Sequence, residues 1–166
     1  QRPWHAAGGA IAPLADRVAA AFDAAREESV ARSWSGETEG GDLGPADRRG
    51  LRRAERLVAA GLDELAEAEI AKLESAGEAS AWRSFLLARF CRRHALHNRA
   101  LASGSRVAES RPGERPPEMQ RLLFPPAYLD LAVRATNGTG LDPRFVLAMA
   151  REESWFDADA VSAAGA

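Results

Sequence analysis

Several residue types are scarce in this 166-residue chain, and each scarcity excludes something. There is one cysteine, Cys91, inside the apolar run FLLARFCRR, so no internal disulfide can staple the fold. Its thiol is expected to pack as a small hydrophobe, which leaves the compartment open. Lys72 is the only lysine among 22 basic residues, a bias that accompanies abundant alanine and strong helix propensity. No apolar run approaches the roughly 18 residues that a membrane-spanning helix requires. A formal net charge of −2 and a pI near 6.0 supply no basic excess for nucleic acid. Nowhere do β-branched and polar residues alternate as a strand would need, so the expected fold class is all-α. With 46% hydrophobic residues, the chain can bury a core for one domain, or for one domain and part of another. It starts at Gln1 without a charged-then-apolar leader and is read as cut at both ends.

What is present is helical punctuation. Pro13 to Trp34 reads as one long amphipathic helix, followed by SGETEGGDLG, an acidic glycine-rich connector over about residues 35–44. Pro45 suits a first helical position, and ADRRGLRRAERLVAAG then runs to a stop at Gly61. The next segment, LDELAEAEIAKLESAG, places Asp63 and Glu64 in its first turn and Lys72 near its last, an order that complements the helix dipole, with Gly77 as terminator. Leu62, Leu65, Ala66, Ile70 and Leu73 are assigned to one apolar face. So short a link implies an antiparallel hairpin whose apolar face a neighbour must cover. A second hairpin follows, with Trp82, Phe85, Leu86 and Phe90 at helical spacing and LHNRALAS ending at Gly104. The expected architecture is therefore stacked helical hairpins, superhelical or solenoid-like, without the signature of a repeat family. His94 and His97 lack a metal-ligand partner motif and read as surface or packing residues. In ESRPGERPPEMQ, clustered prolines forbid continued helix, so a domain boundary is placed between a helical region over 1–117 and a second domain over 118–166.

In the second part, RLLFPPAYLDLAVRATNGTG predicts a helix from Ala127 to Thr136, closed by Asn137 and Gly138. The last helix starts with Asp142 as N-cap and Pro143 at the first position. At 100° per residue, Phe145, Val146, Met149 and Ala150 line one side, and Glu153 projects into the middle of it. Arg144 and Arg151 mark the opposite, wet side, and Glu152 falls at the edge. The periodicity thus selects Glu153 as the acid held against apolar surface. A carboxyl so placed resists ionisation and can give up a proton. The alternative is a helix-terminal glutamate satisfied by an arginine or by solvent. Asp157 and Asp159 lie just past the helix end, where short acidic residues support turns.

From Phe124 onward, FPPAYLDLAVRATNGTGLDPRFVLAMAREESWFDADAVSAAGA resembles the opening of the catalytic domain of the soluble lytic murein transglycosylases. The resemblance is carried by a lead-in of Phe124, Pro125, Ala127 and Tyr128, by an apolar helix ending in Glu153 and Ser154 with the aromatic Phe156 after it, and by SAAGA from Ser162. The helices over roughly Pro45 to Ser110 are similar to the superhelical region that precedes the catalytic domain in larger members. The resemblance implies a lysozyme-like domain that cleaves the β-1,4 bond between N-acetylmuramic acid and N-acetylglucosamine and forms a 1,6-anhydro sugar. It further implies Glu153 as the catalytic acid and then base, Ser162 and Ser154 as substrate-binding residues, and neither metal nor cofactor. Its partner would be the glycan strands of peptidoglycan, and its location the periplasm or cell envelope. No second carboxylate is needed, because the nucleophile is the sugar's own 6-hydroxyl. Family members continue with a Gly-Leu-Met-Gln motif and groove-lining helices, so this chain alone is expected to be inactive, with exposed apolar surface on its last two helices. Two other readings stand beside this one: a lysozyme-type hydrolase with a second carboxylate beyond Ala166, and a non-catalytic helical scaffold.

Overall fold

The computed structural model describes residues 24–36, 43–76, 80–110, 113–157 and 159–161. Among these there are eight helices and no strand: α1 (Ala24–Ser35), α2 (Pro45–Ala59), α3 (Asp63–Ala76), α4 (Ala81–Arg93), α5 (His97–Ser110), α6 (Pro117–Leu123), α7 (Leu129–Thr136) and α8 (Pro143–Ser154). The all-α class is as the sequence implies. The first long helix is described only from Ala24, and its expected start at Pro13, most of the acidic connector and Gly77 lie outside the described residues. The chain divides into two compact units, one over Ala25–Pro125 and another that includes the residues from Pro126 onward.

In the first unit each hairpin turn follows from backbone chemistry. After α2, Gly61 adopts φ +71, and the amides of Gly61 and Leu62 close on the carbonyls of Val58 and Leu57, each at 2.9 Å. A left-handed residue there satisfies the last carbonyls of the helix, and glycine adopts it without a Cβ penalty. The same closure ends α4, where Leu96 N–H reaches Cys91 O at 2.9 Å, although Ala95 holds the left-handed position at φ 57. Ser80 starts α4 by accepting the Arg83 amide at 3.0 Å.

α4 sits between two apolar clusters. Leu87 and Cys91 pack with Ala54, Ala66, Ile70, Leu73, Leu96 and Ala100, while Trp82, Phe85 and Ala88 pack with Ala31, Val107, Met119 and Leu122. Burial pushes the Cys91 thiol well above its ordinary range, consistent with its expected role as a core hydrophobe. Charged groups tie the helices across these clusters. Arg83 binds Asp47 of α2 through two bonds, at 2.7 and 3.0 Å, and donates to Leu73 O. Arg92 pairs through both its amino groups with the buried Glu27 of α1. Glu74, buried on α3, accepts from Ser103 at 2.5 Å and faces Arg99 and Arg106 at 3.5 and 3.6 Å. Buried carboxylates are tolerated only with such compensation.

Three expectations change. Leu62 and Leu65 are exposed, 47% and 55%, while Ala66, Ile70 and Leu73 are buried. At 100° per residue Leu65 stands about 140° round the helix from Ile70, so the inward stripe passes through Ala66, Ile70 and Leu73 without it. Gly104 does not end its helix, since α5 runs on to Ser110. A Cβ at Gly104 would lie 2.9 Å from the backbone oxygen of Leu122, so this glycine admits α6 against α5. For the same reason the first compact unit runs to Pro125, past the boundary expected after residue 117, because Met119 and Leu122 complete the cluster around Phe85.

Gly104→Ala is expected to lower stability by about 1 kcal/mol, because overpacking against a backbone atom costs roughly 1–3 kcal/mol and the gain in helix propensity returns about 1. A denaturant midpoint that rises in the variant would contradict the close approach.

Candidate functional site

The unit from Pro126 onward contains α7 packed on α8. α7 begins at Leu129, two residues later than expected, because Tyr128 takes a left-handed conformation, φ 56, just before it. Thr136 closes α7 with its hydroxyl bonded to Ala132 O at 2.9 Å, and Gly138 and Gly140, both at positive φ, turn the chain toward α8. There Asp142 is the N-cap, its carboxylate accepting the Arg144 amide at 2.8 Å, and Pro143 follows at the first position as expected. The Arg144 side chain also binds this carboxylate and holds its pKa below the usual range.

The inward side of α8 differs from the one assigned by periodicity. Its less exposed stripe is Val146, Leu147, Ala150, Arg151 and Ser154, while Phe145 and Met149 are 58% and 49% exposed. Glu153, four residues after Met149, shares the outer side and is exposed. The expectation that Glu153 is buried is therefore corrected. The apolar residues it follows are themselves uncovered, because α7 meets the stripe about one residue round the helix from the one chosen. Arg151, assigned to the wet side, is instead partly buried, with its side chain 19% exposed and paired to the carboxylate of the exposed Glu152.

The helix then stops in two consecutive left-handed residues, Trp155 at φ 53 and Phe156 at φ 62, with Trp155 N–H on Arg151 O and Asp157 N–H on Ser154 O, each at 2.9 Å. Each such conformation costs a non-glycine residue about 1–2 kcal/mol. The turn separates two adjacent aromatics. Phe156 is buried with its ring 6.1 Å from that of Tyr128, and Trp155 is 40% exposed. Two motifs that lie 28 residues apart, the Phe124–Tyr128 lead-in and the Glu-Ser-x-aromatic ending, thus meet at the Tyr128–Phe156 contact. Ser154 is partly buried and donates its hydroxyl to Ala150 O at 3.1 Å. Ser162 lies outside the described residues. Asp157 supports the turn, its carboxylate accepting the Asp159 amide at 3.0 Å, as the sequence suggests. His94 lies tilted against Phe90, ring centroids 4.4 Å apart, and partial burial lowers the pKa of His97. Among the described residues no three potential metal ligands cluster.

Sequence reasoning missed Trp155 as part of this surface. The signal was an aromatic in the first position past the helix, where a left-handed cap turns a side chain away from its successor.

Comparison with protein-family models, with curated proteins and with solved structures finds no match. No helix among the described residues is long and apolar enough to cross a membrane.

Proposed function

We propose that this chain is the end of a superhelical region and the beginning of a lysozyme-like domain of a peptidoglycan lytic transglycosylase, acting in the cell envelope within a longer polypeptide. In this reading the helices of Ala25–Pro125 are the last stacked hairpins of the superhelix, and α7 and α8 open the catalytic domain. The observation that carries the reading is the end of α8. Glu153 sits at the close of an uncovered apolar stripe, and the aromatic three residues on is anchored against Tyr128 of the lead-in motif.

Glu153 would first give its proton to the glycosidic oxygen as the bond from that oxygen to the anomeric carbon of the muramic acid breaks. As carboxylate it would then take the proton of the sugar's 6-hydroxyl while that oxygen attacks the same carbon. The ring closes to the 1,6-anhydro product, and the glutamic acid is restored. A carboxyl donates efficiently near neutral pH only when water is kept from it. Since Glu153 and the Phe145–Met149 stripe are exposed, bound glycan and further chain must cover them for this chemistry to run. Ser154 and Ser162 are proposed as substrate contacts.

The test is mass spectrometry of the muropeptides that the full-length enzyme releases from purified sacculi. Muramic acid ends lacking one water are expected. Ends carrying the added water would assign the chain to a lysozyme-type hydrolase.

A further inference from the structure

The exposed side of α2 carries four arginines without a described role. Arg48, Arg52 and Arg56 follow one another at four-residue intervals, Arg49 lies beside them, and all four are exposed. At 1.5 Å per residue the row extends about 12 Å along the helix. Among the described residues none of the four is ion-paired, in contrast to Arg53, which is bound to Glu69 of α3. Glu55 is the single carboxylate on this arc and lies at its margin. In a chain of net charge −2, a row of guanidinium groups that pairs with no carboxylate among the described residues and has only Glu55 at its margin is a local reversal of sign.

The chemistry of the row narrows its partner. The apolar residues of α2, Leu51, Leu57 and Val58, are turned into the first cluster, so the exposed arc offers nothing to insert among lipid chains. It has no aromatic side chain on which a nucleic-acid base could stack. Guanidinium groups bind carboxylates in a matched fork geometry, and several weak exposed pairs act together only on a partner with repeated charges. We infer that Arg48, Arg49, Arg52 and Arg56 form a docking strip for a carboxylate-bearing polymer, and that this polymer is the peptide-substituted glycan of the wall. The identity of the polymer rests on the function proposed above, whereas the strip itself is independent of Glu153. Its role is to hold the chain on the wall independently of Glu153.

Cosedimentation of the 166-residue chain with purified sacculi tests this. Wild type is expected to pellet at low salt and to be released as salt rises. Changing Arg48, Arg49, Arg52 and Arg56 together to Gln should lower the pelleted fraction about tenfold or more, with helicity and melting unchanged. Arg93→Gln with Arg134→Gln should pellet as wild type does. Sacculi whose carboxyls have been converted to amides should lose the wild-type chain. Equal pelleting by the four-arginine variant would overturn the proposal, as would full retention on amidated sacculi. If the chain instead binds vesicles of anionic phospholipid through the same arginines and leaves sacculi unbound, the wall is the wrong partner. The muropeptides released by the full-length protein test the catalytic reading separately, so loss of that reading with arginine-dependent pelleting intact leaves the strip standing, and unchanged pelleting of the four-arginine variant overturns the strip alone.

Discussion

If the proposed transglycosylase reading holds, the full-length protein carrying Glu153→Gln is expected to release anhydro-muropeptides about 10²–10⁴-fold more slowly than wild type, the range supplied by a positioned general acid and base. Glutamine keeps the length and polarity of the side chain but has no proton to give and no charge with which to take one. Glu152→Gln makes the sharper comparison. Glu152 is also exposed at the end of α8, but it is already engaged by Arg151, so its loss should leave turnover close to wild type. Comparable activity in the two variants would remove Glu153 from the mechanism and return the chain to the scaffold reading. A large loss in both would point to damage at the helix end, which a shift in the melting curve would reveal.

Phe85→Ala is expected to destabilise the Ala25–Pro125 unit by about 3–5 kcal/mol, the usual cost of emptying a large aromatic site. Phe85 is 1% exposed and stacks on Trp82 with ring centroids 5.4 Å apart. Its cluster joins α1, α4, α5 and α6 through Ala31, Ala88, Val107, Met119 and Leu122. Because each of those helices is held by other contacts as well, they cannot collapse together into the void without giving those up. For a unit of about this size the loss corresponds to a fall in melting temperature of roughly 15–30 °C. A fall of only a few degrees would mean that the cluster relaxes around the gap.

Much of the helical layout could be read directly because local chemistry sets it. Pro45 and Asp142 start helices, and Gly61 ends one, through local chemistry that involves only near neighbours in sequence. Of Trp82, Phe85, Leu86 and Phe90, which the sequence places at helical spacing, Trp82 and Phe85 are buried and Leu86 and Phe90 partly buried. The misreadings concern contacts made at a distance. Gly104 has the composition of a stop signal, and only the arrival of Leu122 from α6 makes it a packing position. Leu65 was credited to the inner face for its chemistry, although its angle on the helix put it elsewhere. The side of α8 that faces inward was missed because Phe145 and Met149 are more apolar than Ala150 and Ser154, and apolarity alone does not say which side a neighbour covers. As a result the choice of Glu153 rested on a buried stripe that the structure leaves open. Its candidacy now depends on the motif around it and on the meeting of Tyr128 with Phe156.

The lone thiol has a practical use that comes from its position between α3 and α5 on the inner side of α4. A reagent in solution can reach Cys91 only when those helices part, and with no second sulfhydryl in the chain every labelling event reports the same opening. The rate at which the folded protein takes up such a reagent is therefore a direct gauge of how often its interior comes undone.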